Sequence, residues 1–302
     1  MVNSLANSIA TLVTNGFQIH KVERFAHSNN IINAYKHDTL GARINYSILF
    51  TEDRTEKAVV DTLLSFSEKF KSEPFVVNDY FKSQKCRTYT NAEFFGFFGG
   101  IVNSGLILIP NLLEIMCELG HNRTPKGLTG EADDLHELYV KECLQFVMES
   151  PTRRYGIDRS FTELPDIVVL GKERFMLLVD SKAYGGGFKF QADDLKRFAS
   201  YVEDFRYRYA PFFGNVQSFI VVSGSFSDSE KSIKGRSDKL YEMCHCKLAC
   251  LESQTLGKIT ELIRANPRYK SSIGWKRVFS NLIVEIKHVE QEMVRIKKDK
   301  LL

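Results

Sequence analysis

Two apolar runs that lie close together, DIVVL at 166–170 and RFMLLVDSK at 174–182, constrain the fold of this chain most. Both are rich in Val, Ile, Leu and Met. Continuous apolar strands of this kind, mixed with helices along the chain, are typical of α/β domains whose sheet is covered on both faces. The short polar stretch GKER joins the two runs, which predicts an antiparallel hairpin.

Acidic and basic residues lie at one end of this predicted hairpin. Asp166 opens the first strand directly after Pro165, and Asp180 and Lys182 close the second. Alternate residues of a strand share a face, so Asp180 and Lys182 point the same way. The hairpin returns Asp166 to the same end of the sheet.

Two carboxylates held together repel each other unless a cation lies between them. Oxygen ligands of this kind favour Mg²⁺, and a neighbouring lysine can stabilise charge on a phosphodiester or position a water. The spacing therefore predicts phosphodiester hydrolysis. The alternative is that Asp166 caps a strand while Asp180 and Lys182 form an ion pair at a strand end.

The segments PD and VDSKAY resemble the catalytic motif of the PD-(D/E)xK nucleases. More narrowly, VDSKAYGGGFKFQADDLKRFASYVEDF is similar to the cleavage domain of FokI-type (type IIS) restriction endonucleases. The similarity extends from about Asp133 to Leu262. It includes the glycine turn at 183–187, the start of a helix at QAD, and the strand FIVVSGSF.

This resemblance implies roles for the matching residues. Asp166 and Asp180 would bind a divalent metal, Mg²⁺ with Mn²⁺ as a substitute, and Lys182 would be the catalytic lysine. The carbonyl of Ser181 would add a metal ligand. Such folds often place a helix glutamate near the metal, and Glu137 is the best match.

For Glu137 the alternative is a solvated helix face, and Glu142 is the second candidate for the same role. In the FokI-type domain the helix after the glycine turn contributes the dimer contact, which falls on Asp193 and Arg197 here. They are four residues apart and share a helix face, so an intrahelical salt bridge is the alternative. Pairing would serve duplex cleavage, because one such site cuts one strand.

The polar stretch GHNRTPKGLTGEADD at 120–134 predicts a domain boundary between residues 126 and 127. The fold class expected is α/β: a restriction-endonuclease-like core with a mixed sheet flanked by helices, an N-terminal α+β domain and a long C-terminal helix. Both halves repeat the order helix, several strands, helix, strand, and the first half lacks the acid-rich strand. The predicted N-terminal elements are a helix at 3–14, strands at 17–24, 29–36 and 43–51, a helix at 55–70 and a strand at 73–78.

The N-terminal domain, residues 1–126, carries no zinc-finger spacing and no convincing helix-turn-helix. Its expected role is recognition, sensing or partner binding. Basic and aromatic residues there are candidates for phosphate contacts, although such residues are more often simply surface. They are Lys21, Arg24, Lys36, Arg43 and Tyr46.

The C-terminal end of the nuclease domain (127–302) has apolar residues at alternating steps of four and three, which predicts a heptad helix at 274–300. It would form either a coiled coil with a second subunit or a helix packed on its own domains. The seam consists of Trp275, Phe279, Leu282, Ile286, Val289, Met293 and Ile296.

The composition excludes few classes of function. The formal net charge of +4, from 41 basic and 37 acidic residues, neither indicates nor excludes a nucleic-acid partner. The N-terminus lacks a basic n-region, so a cytoplasmic location is expected. Polar residues interrupt the apolar run at 94–116, which favours a buried helix–turn–helix over a membrane span.

The sequence therefore predicts a Mg²⁺-dependent DNA endonuclease of a restriction or anti-phage defence system, acting on double-stranded DNA as a homodimer or as a subunit of a heteromeric restriction enzyme. One alternative is a strand-specific nicking subunit that depends on another protein for recognition. The other is a non-catalytic DNA-binding or scaffolding protein on a nuclease fold, against which the intact set of Asp166, Asp180 and Lys182 argues.

Overall fold

A computed structural model of the chain describes residues 2–14, 17–24, 30–37, 42–51, 54, 56–90, 94, 107–155, 164–171 and 173–299. The backbone forms two compact units, Met1–Gly100 and Ile101–Leu302. This division precedes the predicted boundary at 126/127. The physical reason is that the helix Leu112–Gly120 packs on later helices of the second unit, so the polar stretch that follows it is an internal loop.

The first unit is a five-stranded sheet with helices. Its elements lie within one or two residues of the predicted ones, except β5, which was not predicted. The strand order is β1-β2-β3-β4-β5, with β1, β2 and β3 antiparallel and β3, β4 and β5 parallel. The elements are α1 (Val2–Thr14), β1 (Gln18–Arg24), β2 (Asn30–His37), β3 (Arg43–Phe50), α2 (Glu56–Phe70), β4 (Glu73–Val77) and β5 (Arg87–Tyr89).

The second unit is a six-stranded mixed sheet flanked by helices, as the sequence predicted. The elements are α3 (Leu112–Gly120), α4 (Ala132–Met148), β6 (Thr152–Arg154), β7 (Ile167–Gly171), β8 (Phe175–Lys182), α5 (Asp194–Phe213), β9 (Val216–Ser223), α6 (Glu230–Cys244), β10 (Lys247–Glu252), α7 (Ser253–Ala265), α8 (Trp275–Val278), β11 (Ile283–Val284) and α9 (Ile286–Lys298), with a 3-10 turn at Pro267–Tyr269.

The strand order of this sheet is β11-β10-β9-β8-β7-β6, and the direction changes in its middle. Strands β6, β7 and β8 are antiparallel, whereas β8 to β11 are parallel. Side chains of β8 alternate between two cores. Leu177 and Val179 pack with α4 and α7, and the opposite face packs against α5, where Phe198 stacks on Phe219 at 4.1 Å between ring centroids.

The two units share the order and directions of their first five strands. In each, a helix precedes three antiparallel strands, a second helix follows them, and the next two strands run parallel to the third. The second unit adds α6 between β9 and β10 and a sixth strand, β11. The expected repeat of element order therefore extends to strand direction and neighbours. The ends of the corresponding ladders differ in chemistry: Asn30 pairs with Phe50 in the first unit, at the place where the second unit carries Asp166 and Asp180.

The C-terminal segment corrects the prediction of one helix over 274–300. Helix α8 ends at Val278, β11 pairs with β10 through Ile283 and Val284, and α9 begins only at Ile286. The physical reason is that this β-branched pair completes the sheet edge, which interrupts the helix. Most of the seam is buried in the core of the same unit, so the apolar spacing reports intradomain packing; these residues are Trp275, Phe279, Val289, Met293 and Ile296.

The predicted helix–turn–helix in the apolar run at 94–116 lies largely outside the described residues. Within the described parts of the chain, every helix is too short or too polar to cross a bilayer.

Helix α9 is tied to α8 by a buried carboxylate. Both oxygens of Glu292 accept hydrogen bonds from the Arg277 guanidinium at 2.6 Å, and Oε2 also accepts from Arg295 and from the backbone N–H of Gly274. Burial raises the pKa of Glu292, but these hydrogen bonds outweigh burial and lower its pKa to about 2.

We expect Glu292→Gln to lower the free energy of unfolding by about 2 kcal/mol at neutral pH, because the charge-assisted bonds are lost. A lowered folded-state pKa contributes stability that is complete above the ordinary glutamate value of 4.5 and is lost as the pH falls towards about 2. Urea unfolding between pH 7 and pH 2 measures this, with the exposed Glu290→Gln as the control. A difference from wild type that stays constant over this range would contradict the assignment.

Candidate active site

The β7–β8 hairpin brings the two acidic strand ends together, as the sequence predicted. Ile167 pairs with Val179 in an antiparallel ladder, and Asp166 continues this register by one residue, opposite Asp180. The carboxylate of Asp166 also accepts the backbone N–H of Ser181 at 2.7 Å. Asp166 is therefore fixed at the end of the sheet, beside Asp180 and Ser181.

Asp180 and Lys182 share the α5 face of β8, which confirms the alternation argument. The Lys182 ammonium lies 2.7 Å from Oδ2 of Asp180. A second cation, the Arg197 guanidinium of α5, lies 3.7 Å from the same oxygen and 2.9 Å from Oδ1 of Asp194. Two positive side chains thus flank a single buried carboxylate.

The sheet explains why these charges can lie at the edge of a core. Asp180 and Lys182 are at the carboxyl end of β8, where it runs parallel to β9, and such strand ends open into the crevice in which α/β proteins bind ligands. The hydroxyl of Ser223, at the end of β9, donates to the backbone carbonyl of Lys182 at 2.7 Å. The ends of β8 and β9 are thereby held in register up to Lys182.

The donor set fits a divalent cation by its chemistry. Oδ2 of Asp180 is buried and receives no hydrogen bond of good geometry from the described residues, although the two cations balance its charge. Carboxylate oxygens are the ligands that Mg²⁺ prefers, usually one or two of them completed by water and substrate oxygens. Within the described residues there is no group of three or more His, Cys, Asp and Glu side chains arranged for a metal.

Glu137 lies on α4 and is buried, not on a solvated helix face. Its Oε2 accepts from Nε of Arg154 at 3.3 Å, and Arg154 also pairs with Asp134 one turn earlier. Arg154 is in register with Ile167, which belongs to the core beneath α4. This partner of Glu137 is therefore on the α4 face of the sheet, whereas Asp180 is on the α5 face, and a role of Glu137 at a metal stays a prediction.

Glu142, the second candidate, is also buried on α4 and pairs with the neighbouring Lys141 at 2.8 Å.

The proposed interface residues have different neighbours from those the spacing indicated. The Asp193 carboxylate pairs with Lys196 at 3.1 Å, and its side chain is 87% exposed. Arg197 reaches Asp194 and Asp180. Sequence reasoning noticed Arg197 as an interface residue but missed its approach to the acidic site.

A buried histidine beneath the motif was also missed. Nδ1 of His136 is 2.7 Å from Oγ of Ser181, and its Nε2 is 2.7 Å from Oγ of Ser253. Burial and the charge of His121 lower the pKa of His136 to about 3, so the ring is neutral. The only signal in the sequence was a histidine among the apolar residues of α4.

The backbone conformation of the turn after Lys182 requires a glycine. Gly187 has φ +83°, and a Cβ there would lie 2.7 Å from the hydroxyl of Ser225. Immediately before the turn, the N–H of Tyr184 donates to the carbonyl of Gly120 at 3.2 Å. This carbonyl also accepts from Gly224, so the end of α3 binds together the segments that follow β8 and β9.

Comparison with known proteins identifies the family. The model of the FokI cleavage domain matches residues 116–283, more than half of the chain. This chain belongs to the FokI cleavage-domain family. Membership supports a restriction-type nuclease, that is, a restriction-endonuclease-like hydrolase, and implies a divalent metal cofactor.

Two solved structures are similar to the chain: the restriction endonuclease FokI bound to DNA, and the restriction endonuclease FokI. Each is 21% identical with a TM-score of 0.46, and the similarity covers 59% of this chain. It covers 31% and 32% of those chains, so this chain corresponds to about a third of their length. No curated protein matches the chain.

Candidates for phosphate contacts in the first unit have protein neighbours. Lys21 forms an ion pair with Glu23 at 2.6 Å, and the Arg43 guanidinium lies over the ring of Tyr35, 3.9 Å from its centroid. The side chain of Arg24 lies outside the described residues. A role of these residues in binding DNA stays a prediction.

We expect Arg154→Met to lower the free energy of unfolding by about 3 kcal/mol, because it removes the guanidinium that pairs with the buried Glu137 carboxylate. Adding Glu137→Gln should recover more than half of this loss. Urea unfolding of the two single variants and the double variant measures the coupling, with the exposed Arg123→Met as the control. Losses that simply add would contradict the pairing.

Proposed function

We propose that the chain is a Mg²⁺-dependent endonuclease that hydrolyses the phosphodiester bonds of double-stranded DNA. The observation that carries this proposal is the position of Asp166 opposite Asp180, with the Lys182 ammonium 2.7 Å from Asp180, at a sheet end within the family's domain. The similarity to the nuclease solved bound to DNA is consistent with a DNA substrate, but the proposal does not rest on it.

Each residue of the site has a chemical task in this reaction. Asp166, Asp180 and the carbonyl of Ser181 would hold the Mg²⁺ ion, which when bound polarises the phosphodiester and its attacking water. The Nζ of Lys182 orients the scissile phosphate and stabilises the negative charge that develops on its oxygens. Water attack then leaves a 5′-phosphate and a 3′-hydroxyl.

The Arg197 guanidinium adds positive charge on the same side of the sheet. It is 40% exposed, so it lies at the edge of the site where the DNA backbone would approach. The two cations also balance the charge of the buried Asp180 carboxylate, the anionic ligand that the metal would need.

We expect Asp180→Asn to reduce Mg²⁺-dependent cleavage of a supercoiled plasmid by at least about 100-fold, because the variant keeps the shape of the side chain but loses the anionic ligand. The exposed Asp238→Asn on α6 is the matched control and should cleave as the wild type does. Cleavage that survives Asp180→Asn would sink the site assignment.

The products of the same assay separate the candidate functions. Linear DNA from the purified chain supports a duplex-cutting endonuclease, whereas nicked circles alone support the strand-specific subunit. Plasmid binding without any cleavage, across Mg²⁺ and Mn²⁺, supports the scaffold alternative.

We further propose that the chain acts as a homodimer, or beside a second nuclease subunit, in a restriction or anti-phage system. Asp193 supports this arrangement because it lies at the start of α5 with a side chain that is almost fully exposed, and its ion pair with Lys196 is a surface one that contributes little to stability. The first unit supports a recognition or partner-binding role, since its ladder ends in Asn30 and Phe50 where the second unit has its acids.

We expect Asp193→Ala to shift the product from linear to nicked plasmid and to lower the sedimentation coefficient of the DNA-bound complex, with unfolding free energy changed by less than about 0.5 kcal/mol. The acidic site stays intact, so nicking should persist. Glu203→Ala on the same helix is the control. Unchanged linear product in Asp193→Ala would count against this contact.

A further inference from the structure

The buried histidine of α4 joins three elements beneath the acidic site. His136 is fully buried, and each of its ring nitrogens lies 2.7 Å from a serine hydroxyl: Ser181 at the end of β8 and Ser253 at the start of α7. A neutral imidazole has one donor and one acceptor nitrogen, so both hydroxyls are satisfied by the same ring. The three residues form a closed polar chain in an otherwise apolar core.

The fold makes room for this chain. A Cβ at Gly120 would lie 2.5 Å from Oγ of Ser253, so the helix α3 ends on a residue that leaves the hydroxyl in place. Ser253 itself is fully buried. Gly120 therefore leaves room for the Ser253 hydroxyl that contacts the histidine. Its carbonyl also accepts hydrogen bonds from the segments that follow β8 and β9.

Ser181 connects this chain to the acids. Its side chain points to the α4 face, whereas those of Asp180 and Lys182 on either side point to the α5 face. Its backbone N–H donates to Oδ2 of Asp166. A rotation of the Ser181 peptide would therefore move all three members of the motif at once.

We propose that His136 is a positioning residue for the acidic site: its hydrogen bond to Ser181 fixes the strand end that carries Asp166, Asp180 and Lys182 in the geometry that binds the metal. The proposal rests on the proposed function. His136 is buried away from solvent, so it acts through Ser181 and does not touch substrate. An apolar side chain would fill the same space, but it would leave the Ser181 hydroxyl buried without this partner and the strand end free to turn.

A pair of substitutions at one position separates the two hydrogen bonds. In His136→Asn the amide occupies the place of Nδ1, which keeps the bond to Ser181 and loses the bond to Ser253. In His136→Gln the amide reaches the place of Nε2, which keeps Ser253 and loses Ser181. Each variant breaks one buried hydrogen bond, so a merely structural histidine would make them behave alike.

Hydrogen exchange at the Ser181 amide is the direct readout, because this N–H is the one that holds Asp166. We expect it to exchange at least about 10-fold faster in His136→Gln than in His136→Asn, after correction for global stability measured by urea unfolding. Mn²⁺ binding, followed by electron paramagnetic resonance of the free ion, and the Mg²⁺ concentration for half-maximal plasmid cleavage should both be about 10- to 100-fold weaker in His136→Gln. His136→Asn should remain within about threefold of wild type in both.

Equal exchange at Ser181 in the two variants would overturn the proposal. If neither variant folds, Ser181→Ala and Ser253→Ala replace them, since each removes one of the two hydroxyls. Only Ser181→Ala should then speed hydrogen exchange at position 181 and weaken Mn²⁺ binding. Failure of this proposal can also be distinguished from failure of the proposed function. A wild-type chain that cuts no DNA, with the exchange difference present, refutes the nuclease alone, whereas a cutting wild type without that difference refutes the role of His136 alone.

Discussion

The antiparallel pairing of β7 with β8 is the constraint on which the acidic site depends. A slip of one residue in this register would move Asp166 to the α4 face and leave Asp180 facing α5 alone. The register is set by the short connection between Gly171 and Phe175, because the length of a hairpin loop fixes the pairing of its strands. Every residue of β7 is buried, so a slip would also disturb packing on both faces. The carboxylates are therefore placed by the hairpin and its packing, and the cations of Lys182 and Arg197 offset their mutual repulsion.

Much of this arrangement follows from the sequence, because it depends on neighbours along the chain. The hairpin, the common face of Asp180 and Lys182, and most element boundaries are local consequences of apolar alternation and turn residues. The approach of Arg197 to Asp180 is different. It joins a helix to a strand across a parallel crossover, and the spacing of Asp193 and Arg197 on one helix carries no information about it.

Two further features could not be predicted from the sequence, for a related reason. Helix periodicity treats His136 as a polar position, and its partners are 45 and 117 residues away. Heptad spacing near the C-terminus describes an apolar face without saying what covers it or whether the backbone is continuous. Here the face packs on its own unit and is broken by β11, whose pairing with β10 cannot be seen in the spacing. The polar stretch at 120–134 likewise looks like a linker although it is an internal loop.

The repeated topology of the two units shows that the backbone alone does not specify the chemistry. Both place the end of a hairpin at the same point in the same strand order, and only the second has carboxylates there. Under the proposed function, the activity depends on a few side chains on the ladder, and the same backbone without them is available for binding. The chain thus has one hairpin that ends in carboxylates, in the second unit, and one that ends in the pair Asn30 and Phe50, in the first.

The connectivity of the second unit also sets an order for its assembly. The acidic hairpin closes through the short stretch between Gly171 and Phe175, whereas β9 can join β8 only after the long crossover that contains α5 has been ordered. Loop closure favours the shorter connection, so the acids meet early on the folding pathway. The contacts of His136 beneath them span far more of the chain, so they form only when the domain is nearly complete. We therefore expect a partly folded chain to have its two acids close together before the strand end is fixed, so that the proposed metal site would be completed last.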